Sequence, residues 1–232
     1  MFYSYILLAF IPVLIFTIIA QIRVHSTFKK YSKQGSQRHI TGAQAAERIL
    51  NDQGIYDVQI NCISGTLTDH YNPRDNSLNL SEEVYNSTSV AAIGVACHEA
   101  GHAMQYAQSY APVKARMAIL PITRLGSSIA GLMIVAGLWL SYVGSQFVIM
   151  ADIGLALFSF SVLFQLITLP VEINASRRAM TAIYSGGILE MQEAKGARKV
   201  LTAAAMTYVA ALAIALLQFL RLLLIVRGNH RR

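Results

Sequence analysis

Four stretches of this chain lack charged side chains for long enough to cross a bilayer, which limits the folds open to it more than any short motif does. Residues 1–22 read MFYSYILLAFIPVLIFTIIAQI, and about 20 apolar residues in a helix traverse the roughly 30 Å hydrocarbon core. Uncharged runs recur from Leu125 to Ala151, from Ile153 to Val171 and from Val200 to Leu220. A cleaved signal peptide needs a basic n-region and a short h-region; residues 1–22 have neither, so the segment reads as a retained anchor. Only 13% of residues are charged, against about 25% in soluble domains, which weighs against buried core helices of a soluble protein. Asp152 and a polar patch at Ser141, Gly144, Ser145 and Gln146 separate the second and third runs, and predict a tight hairpin.

Lys and Arg near span ends tend to stay cytoplasmic. Arg23, Lys29, Lys30, Lys33 and Arg38 follow the first run, the 141–152 hairpin tip has none, and residues 172–199 carry Arg177, Arg178, Lys195, Arg198 and Lys199. The expectation is an outside N-terminus and a polar domain on the cytoplasmic face. Arg227, Arg231 and Arg232 run against this if the last segment crosses, as its length favours. The formal charge of +7 then reflects clusters beside anionic headgroups, and no nucleic-acid partner is expected. Cys62 and Cys97 form no C-x-x-C pair and read as packing residues.

Between the first and second runs, Thr41 can cap a short helix that ends at Gly54. YDVQINCI alternates as a strand should, TLTDHYN follows after Gly65, and LNLS returns after the turn signal PRDNS. Ser81 can cap a brief helical turn. A longer helix is expected from Ser87–Ser89 to about Tyr110, before Pro112.

That helix contains VACHEAGHAMQYA, residues 95–107. His98 and His102, at i and i+4, face the same way about 6 Å apart, a separation two Zn²⁺ bonds of about 2.0–2.1 Å can bridge. Glu99 stands where a carboxylate reaches a metal-activated water, as in the H-E-x-x-H helix of zinc proteases. Without a metal, three ionisable groups in so apolar a helix would be costly to bury. A catalytic site needs a third protein ligand. His25, His39, His70 and His230 remain, and among carboxylates Glu172, in LPVEINASRRA, emerges directly from the third run. A salt bridge from Glu172 to Arg177 or Arg178 is the plainer alternative, and Glu190 or Glu193 would place the ligand deeper in the same loop.

HEAGHAMQYAQSYAPVKAR, TLPVEINASRRA, ARKVLTAAAMTYVAALAIALLQFLRLL and LTDHYNPRDNSLNLS together resemble the YugP-type bacterial membrane zinc peptidases over nearly the whole chain. More distantly, the order of anchor, H-E-x-x-H, hairpin and glutamate is similar to the HtpX and prenyl-protease group of gluzincins. The resemblance implies zinc-dependent peptide hydrolysis, with His98, His102 and Glu172 as metal ligands and Glu99 as general base. The family pattern has an aspartate where Asn174 stands, and the wider gluzincins one where Ser176 stands, so a carboxylate orienting the ligands is expected from elsewhere. His70, Tyr71, Tyr106, Tyr184 and Arg178 are candidate donors to a developing oxyanion.

The expected fold class is a mainly α membrane protein with four transmembrane helices and a small α+β zincin-like cytoplasmic domain. Its parts are a transmembrane helix at 1–22, the H-E-x-x-H domain at 23–123 and a transmembrane hairpin at 124–171. A cytoplasmic loop with the third ligand at 172–199, a transmembrane helix at 200–226 and a basic tail at 227–232 complete it. The expected activity is hydrolysis of peptide or membrane-protein substrates, laid as an added strand along LTDHYN or SLNLS. The alternative is a zinc-stabilised membrane scaffold without proteolysis, which has no need of Glu99.

Overall fold

A computed structural model describes residues 2–230, with side chains described over 11–229. Met1 of the first expected span, and Arg231 and Arg232 of the basic tail, lie outside the described residues. The elements in chain order are α1 (Phe2–Tyr31), α2 (Gly42–Asp52), β1 (Gln59–Ile63), β2 (His70–Asn72), β3 (Ser77–Ser81), α3 (Glu82–Tyr85) and α4 (Val90–Ala107). Then come α5 (Ala111–Leu140), a short 3₁₀ turn (Ser145–Phe147), α6 (Val148–Ser185) and α7 (Met191–His230). Among the described residues, four segments are long and apolar enough to cross a membrane: Ile11–Tyr31, Ala111–Leu140, Ser145–Ser185 and Met191–Asn229.

The chain divides into two compact units. One comprises Met1–Ile18, Pro112–Pro170 and Tyr208–Arg232. Here α5 and α6 pack through small residues: a Cβ on Gly137 would strike the backbone of Ala151, and one on Gly154 would lie 2.8 Å from the Ala130 carbonyl. Such backbone approach holds helices together where lipid offers no hydrophobic drive. Asn229 Nδ2 donates to Ser141 Oγ at 2.9 Å beside the turn. The expected hairpin turns at 141–147, but Asp152 falls inside α6 rather than at the tip. Outward-facing Leu132, Val135 and Trp139 are largely exposed, as lipid-facing side chains would be.

The other unit comprises Ile19–Ala111 and Val171–Thr207. Thr41 caps α2 in a capping box with Gln44. The sheet runs β1-β3-β2, with β3 parallel to β1 (Ile60↔Leu78) and antiparallel to β2 (Tyr71↔Leu78). Because β3 is paired on both sides, SLNLS has no free edge for a substrate strand; that part of the expectation is corrected, and of the two segments only β2 is at an edge. Ser81 precedes α3, but its hydroxyl and N–H both donate to Asp69 Oδ1, at 3.0 and 2.8 Å, so the residue anchors the β2 approach instead of capping with its side chain. Leu78, Leu80, Ile49, Leu50, Val84 and Ile93 form the core with α4. Cys97 joins them, whereas Cys62 is exposed on β1, contrary to a packing role.

The segment expected as a loop at 172–199 is helical except for residues 186–190. Its polar residues mask a buried stripe of Val171, Ala175, Ala179, Ala182 and Ile183, spaced for one helix face. The break comes at Gly186 and Gly187, where φ is +55° at Gly187, a conformation glycine adopts freely. At the other end of the stripe α6 presses on α4, and a Cβ on Gly101 would lie 2.5 Å from the Ala175 carbonyl. Gly101→Ala should therefore destabilise the fold by about 1–3 kcal/mol, the usual cost of overpacking, read as a lowered midpoint in thermal unfolding with zinc bound.

Candidate metal centre

The spacing read from the sequence is realised on α4. Ser89 caps its start by accepting from Ala92 N–H at 3.2 Å, and small residues from Ala91 to Ala103 bury most of its circumference. His98, Glu99 and His102 remain half-buried on the side left open. The two imidazoles meet edge to face with ring centres 4.8 Å apart.

Helix α6 brings Glu172, 3% exposed, onto the same pair. Its Oε2 lies 3.3 Å from His98 Nε2 and 3.4 Å from His102 Nε2. Donors about 2.0–2.1 Å from one tetrahedral ion stand about 3.3–3.4 Å from each other, and the carboxylate oxygen keeps that spacing to each imidazole nitrogen. One donor atom from each residue falls within a 4.8 Å cluster able to hold a metal ion. Arg177 and Arg178 do not pair with Glu172: Arg178 bonds Asn174 and Gln108 and stacks 5.6 Å over Tyr110.

The other nitrogen of each imidazole is also held. His98 Nδ1 lies 3.0 Å from Ser176 Oγ, and His102 Nδ1 lies 3.0 Å from Gln105 Oε1. Both contacts leave Nε2 to face the metal position. Fully buried Gln105 in turn donates to the Val171 carbonyl at 2.8 Å and to Asn174 Oδ1 at 2.9 Å. Arg178 Nε donates to that same Asn174 oxygen at 2.7 Å. In place of the carboxylate expected to orient the ligands stand a hydroxyl and two amides, and two of these three groups, Ser176 and Asn174, occupy the positions where the resemblance implied an aspartate. Gln105 escaped the sequence reading, although its i+3 position from His102 within an apolar helix was a usable signal.

Gln105→Ala would take away the acceptor at His102 Nδ1 and the second donor to the Val171 carbonyl. Zinc affinity should fall about 10- to 100-fold, the range seen when supporting partners of metal ligands are lost, as measured by chelator competition.

Glu99 Oε2 accepts the Tyr71 N–H at 3.1 Å, tying the carboxylate to edge strand β2. Burial raises its pKa, against the lowering influence of His98 and His102. For His102, burial lowers the pKa but the hydrogen bond to Glu172 and the charges of Glu99 and Glu172 raise it further. Burial also keeps the Cys97 thiol protonated, far above its usual range.

Of the five candidate oxyanion donors, His70 and Tyr71 lie on β2 and Tyr106 packs against Tyr71, whereas Arg178 and Tyr184 lie on α6. Tyr71 Oη donates to Asn76 Oδ1 at 2.6 Å, and its pKa is pushed up to about 12, chiefly by burial. Tyr106, one turn beyond His102, packs its ring 5.3 Å from that of Tyr71. His70 Nδ1 bonds the Thr68 carbonyl at 2.8 Å, Arg178 is engaged as above, and Tyr184 lines a separate groove.

Comparison with known proteins gives a consistent picture. Residues 5–227 match the family described as "Putative neutral zinc metallopeptidase". The chain is 45% identical over 206 residues to "Putative membrane protease YugP" of Bacillus subtilis (strain 168), with 89% of each chain covered. No solved structure matches. With nearly its full length matched, the chain belongs to this neutral zinc metallopeptidase family.

Proposed function

We propose that the chain is a membrane-embedded zinc peptidase in which His98, His102 and Glu172 hold the ion and Glu99 is the general base. The observation that carries the reading is the triangle of two imidazole nitrogens and one carboxylate oxygen with edges of 3.3 and 3.4 Å at Glu172. The family description and the relative's name support zinc and a membrane setting, and the basic residues after the first span favour a cytoplasmic face for the α2–α4 domain.

Bound zinc supplies Lewis acidity to the scissile carbonyl and the attacking water. The residues do the rest. Ser176 and Gln105 hold the two imidazoles with Nε2 inward. Glu99, fixed through one oxygen by the Tyr71 N–H, keeps the other to take the water proton and pass it to the departing amine. Its burial makes it a better proton acceptor than an exposed carboxylate. Strand β2, unpaired on the side away from β3, offers backbone groups along which an extended peptide or a juxtamembrane segment is laid beside α4.

Protein purified in detergent should carry about one zinc per chain and cleave an unfolded test protein. Stripping the metal with phenanthroline should end cleavage, and added zinc should restore it. Undiminished cleavage by the stripped protein would overturn the reading.

A further inference from the structure

A groove of about 450 Å³ lies between the Val171–Ser185 part of α6 and the first turns of α7, apart from the metal cluster. Its volume is in the range of small-molecule sites. Arg177 and Arg198 both line it, while Ile173, Met180 and Leu201 supply apolar walls. No carboxylate lines the groove, and among the described residues neither arginine is in an ion pair. Two guanidiniums sharing one groove repel each other unless an anion lies between them. Arginine's planar fork suits phosphate oxygens in particular.

The place of these residues along the chain says which phosphate. On the membrane-spanning reading above, on which this inference rests, the uncharged runs end at Val171 and begin again at Val200. Arg198 stands two residues before the second, about 3 Å along the axis, and Arg177 six residues after the first, about 9 Å. Headgroup layers occupy about 5–8 Å on each side of the hydrocarbon, within reach of such long side chains. Ile173 and Leu201 stand nearer the hydrocarbon on the same two helices. The cationic part of the groove therefore lies at phosphate depth, and the Ile173 and Leu201 end of its apolar wall lies at acyl depth. We infer that this groove is a binding site for one anionic glycerophospholipid, its phosphate held by Arg177 and Arg198 and its first acyl carbons against Ile173 and Leu201. Ser176 lines the groove as well as bonding His98, so the lipid lies one residue from the support of a metal ligand.

The test uses the full chain in detergent, titrated with phosphatidylglycerol and with phosphatidylcholine and read by native mass spectrometry. Wild type should retain phosphatidylglycerol at least about tenfold better than phosphatidylcholine, the scale of two surface-depth charges. Arg177→Gln with Arg198→Gln should abolish that preference. Lys195→Gln with Lys199→Gln, equal in charge and exposed on α7 outside the groove, should keep it. Zinc content matching wild type establishes that each variant is folded. Equal loss in both double variants would overturn the site in favour of diffuse attraction. Displacement of the lipid by millimolar inorganic phosphate would overturn it in favour of a soluble anion. Loss of peptide cleavage in the arginine variant with lipid preference intact would overturn it in favour of a substrate contact. Alkaline carbonate extraction separates the two levels of failure. Protein released by carbonate would overturn the membrane reading and the lipid site together, and carbonate-resistant protein without arginine-dependent preference would overturn the site alone.

Discussion

Glu99→Gln should keep about one zinc per chain and lose cleavage by about 10²–10⁴-fold, the range a general base contributes. The two effects separate because Glu99 is not one of the three residues in the metal cluster. Glutamine has nearly the same shape, and its amide oxygen can still accept the Tyr71 N–H, so β2 should stay docked on α4. What disappears is the ability to receive a proton. A single-turnover assay on an unfolded test protein, beside metal analysis of the same sample, checks both halves. Retained zinc with wild-type cleavage would return the chain to the alternative of a non-proteolytic scaffold, for which this position is indifferent.

Glu172→Ala should weaken zinc binding by at least about 10- to 100-fold, since losses of that size already follow from disturbing supporting groups, and should abolish cleavage. Two other glutamates near the end of α6 serve as controls of different kinds. Glu190 is half exposed and lies 3.6 Å from Arg38, so Glu190→Ala should change neither metal content nor stability appreciably. Glu193 is buried and accepts the N–H groups of Gln37 and Glu190 at 2.8 and 2.9 Å. Glu193→Ala should therefore lower the unfolding midpoint, at a cost of about 1.5–3 kcal/mol for a charged acceptor, while leaving zinc affinity in the folded protein intact. Metal loss at Glu193 with retention at Glu172 would relocate the third ligand beyond the end of α6.

The helix with His98, Glu99 and His102 was legible because caps and apolar spacing act over a few residues, and Ser89 begins it as its residue type suggests. Long apolar segments were legible for the same reason. The stretch beyond Val171 was not, because Glu172, Asn174, Ser176, Arg177 and Arg178 read as a solvated loop when each is counted as polar. In the fold those residues belong to a helix whose buried stripe is mostly alanine, a residue with a weak hydrophobic signature. The order of strands was equally hidden. LTDHYN and SLNLS alternate alike, and only pairing across the chain decides that one is an edge and the other is central. Asn174 and Ser176 were visible as departures from a pattern, but their use depends on Gln105, a residue 69 positions away from Asn174 in the chain.

The hydroxyl and amides behind the histidines have an electrical consequence. On the proposed ligand set, two neutral imidazoles and one carboxylate would leave a divalent ion with a net single positive charge, and an aspartate behind either histidine would draw that charge down further. Here the supports of the imidazoles are uncharged, and the chain of amides from His102 ends on the cation of Arg178. On the proposed ligand set, the field around the centre would therefore be tilted towards electron withdrawal, and a carbonyl oxygen arriving there would meet a stronger electrophile than acidic supports would leave, at the cost of a less tightly gripped metal.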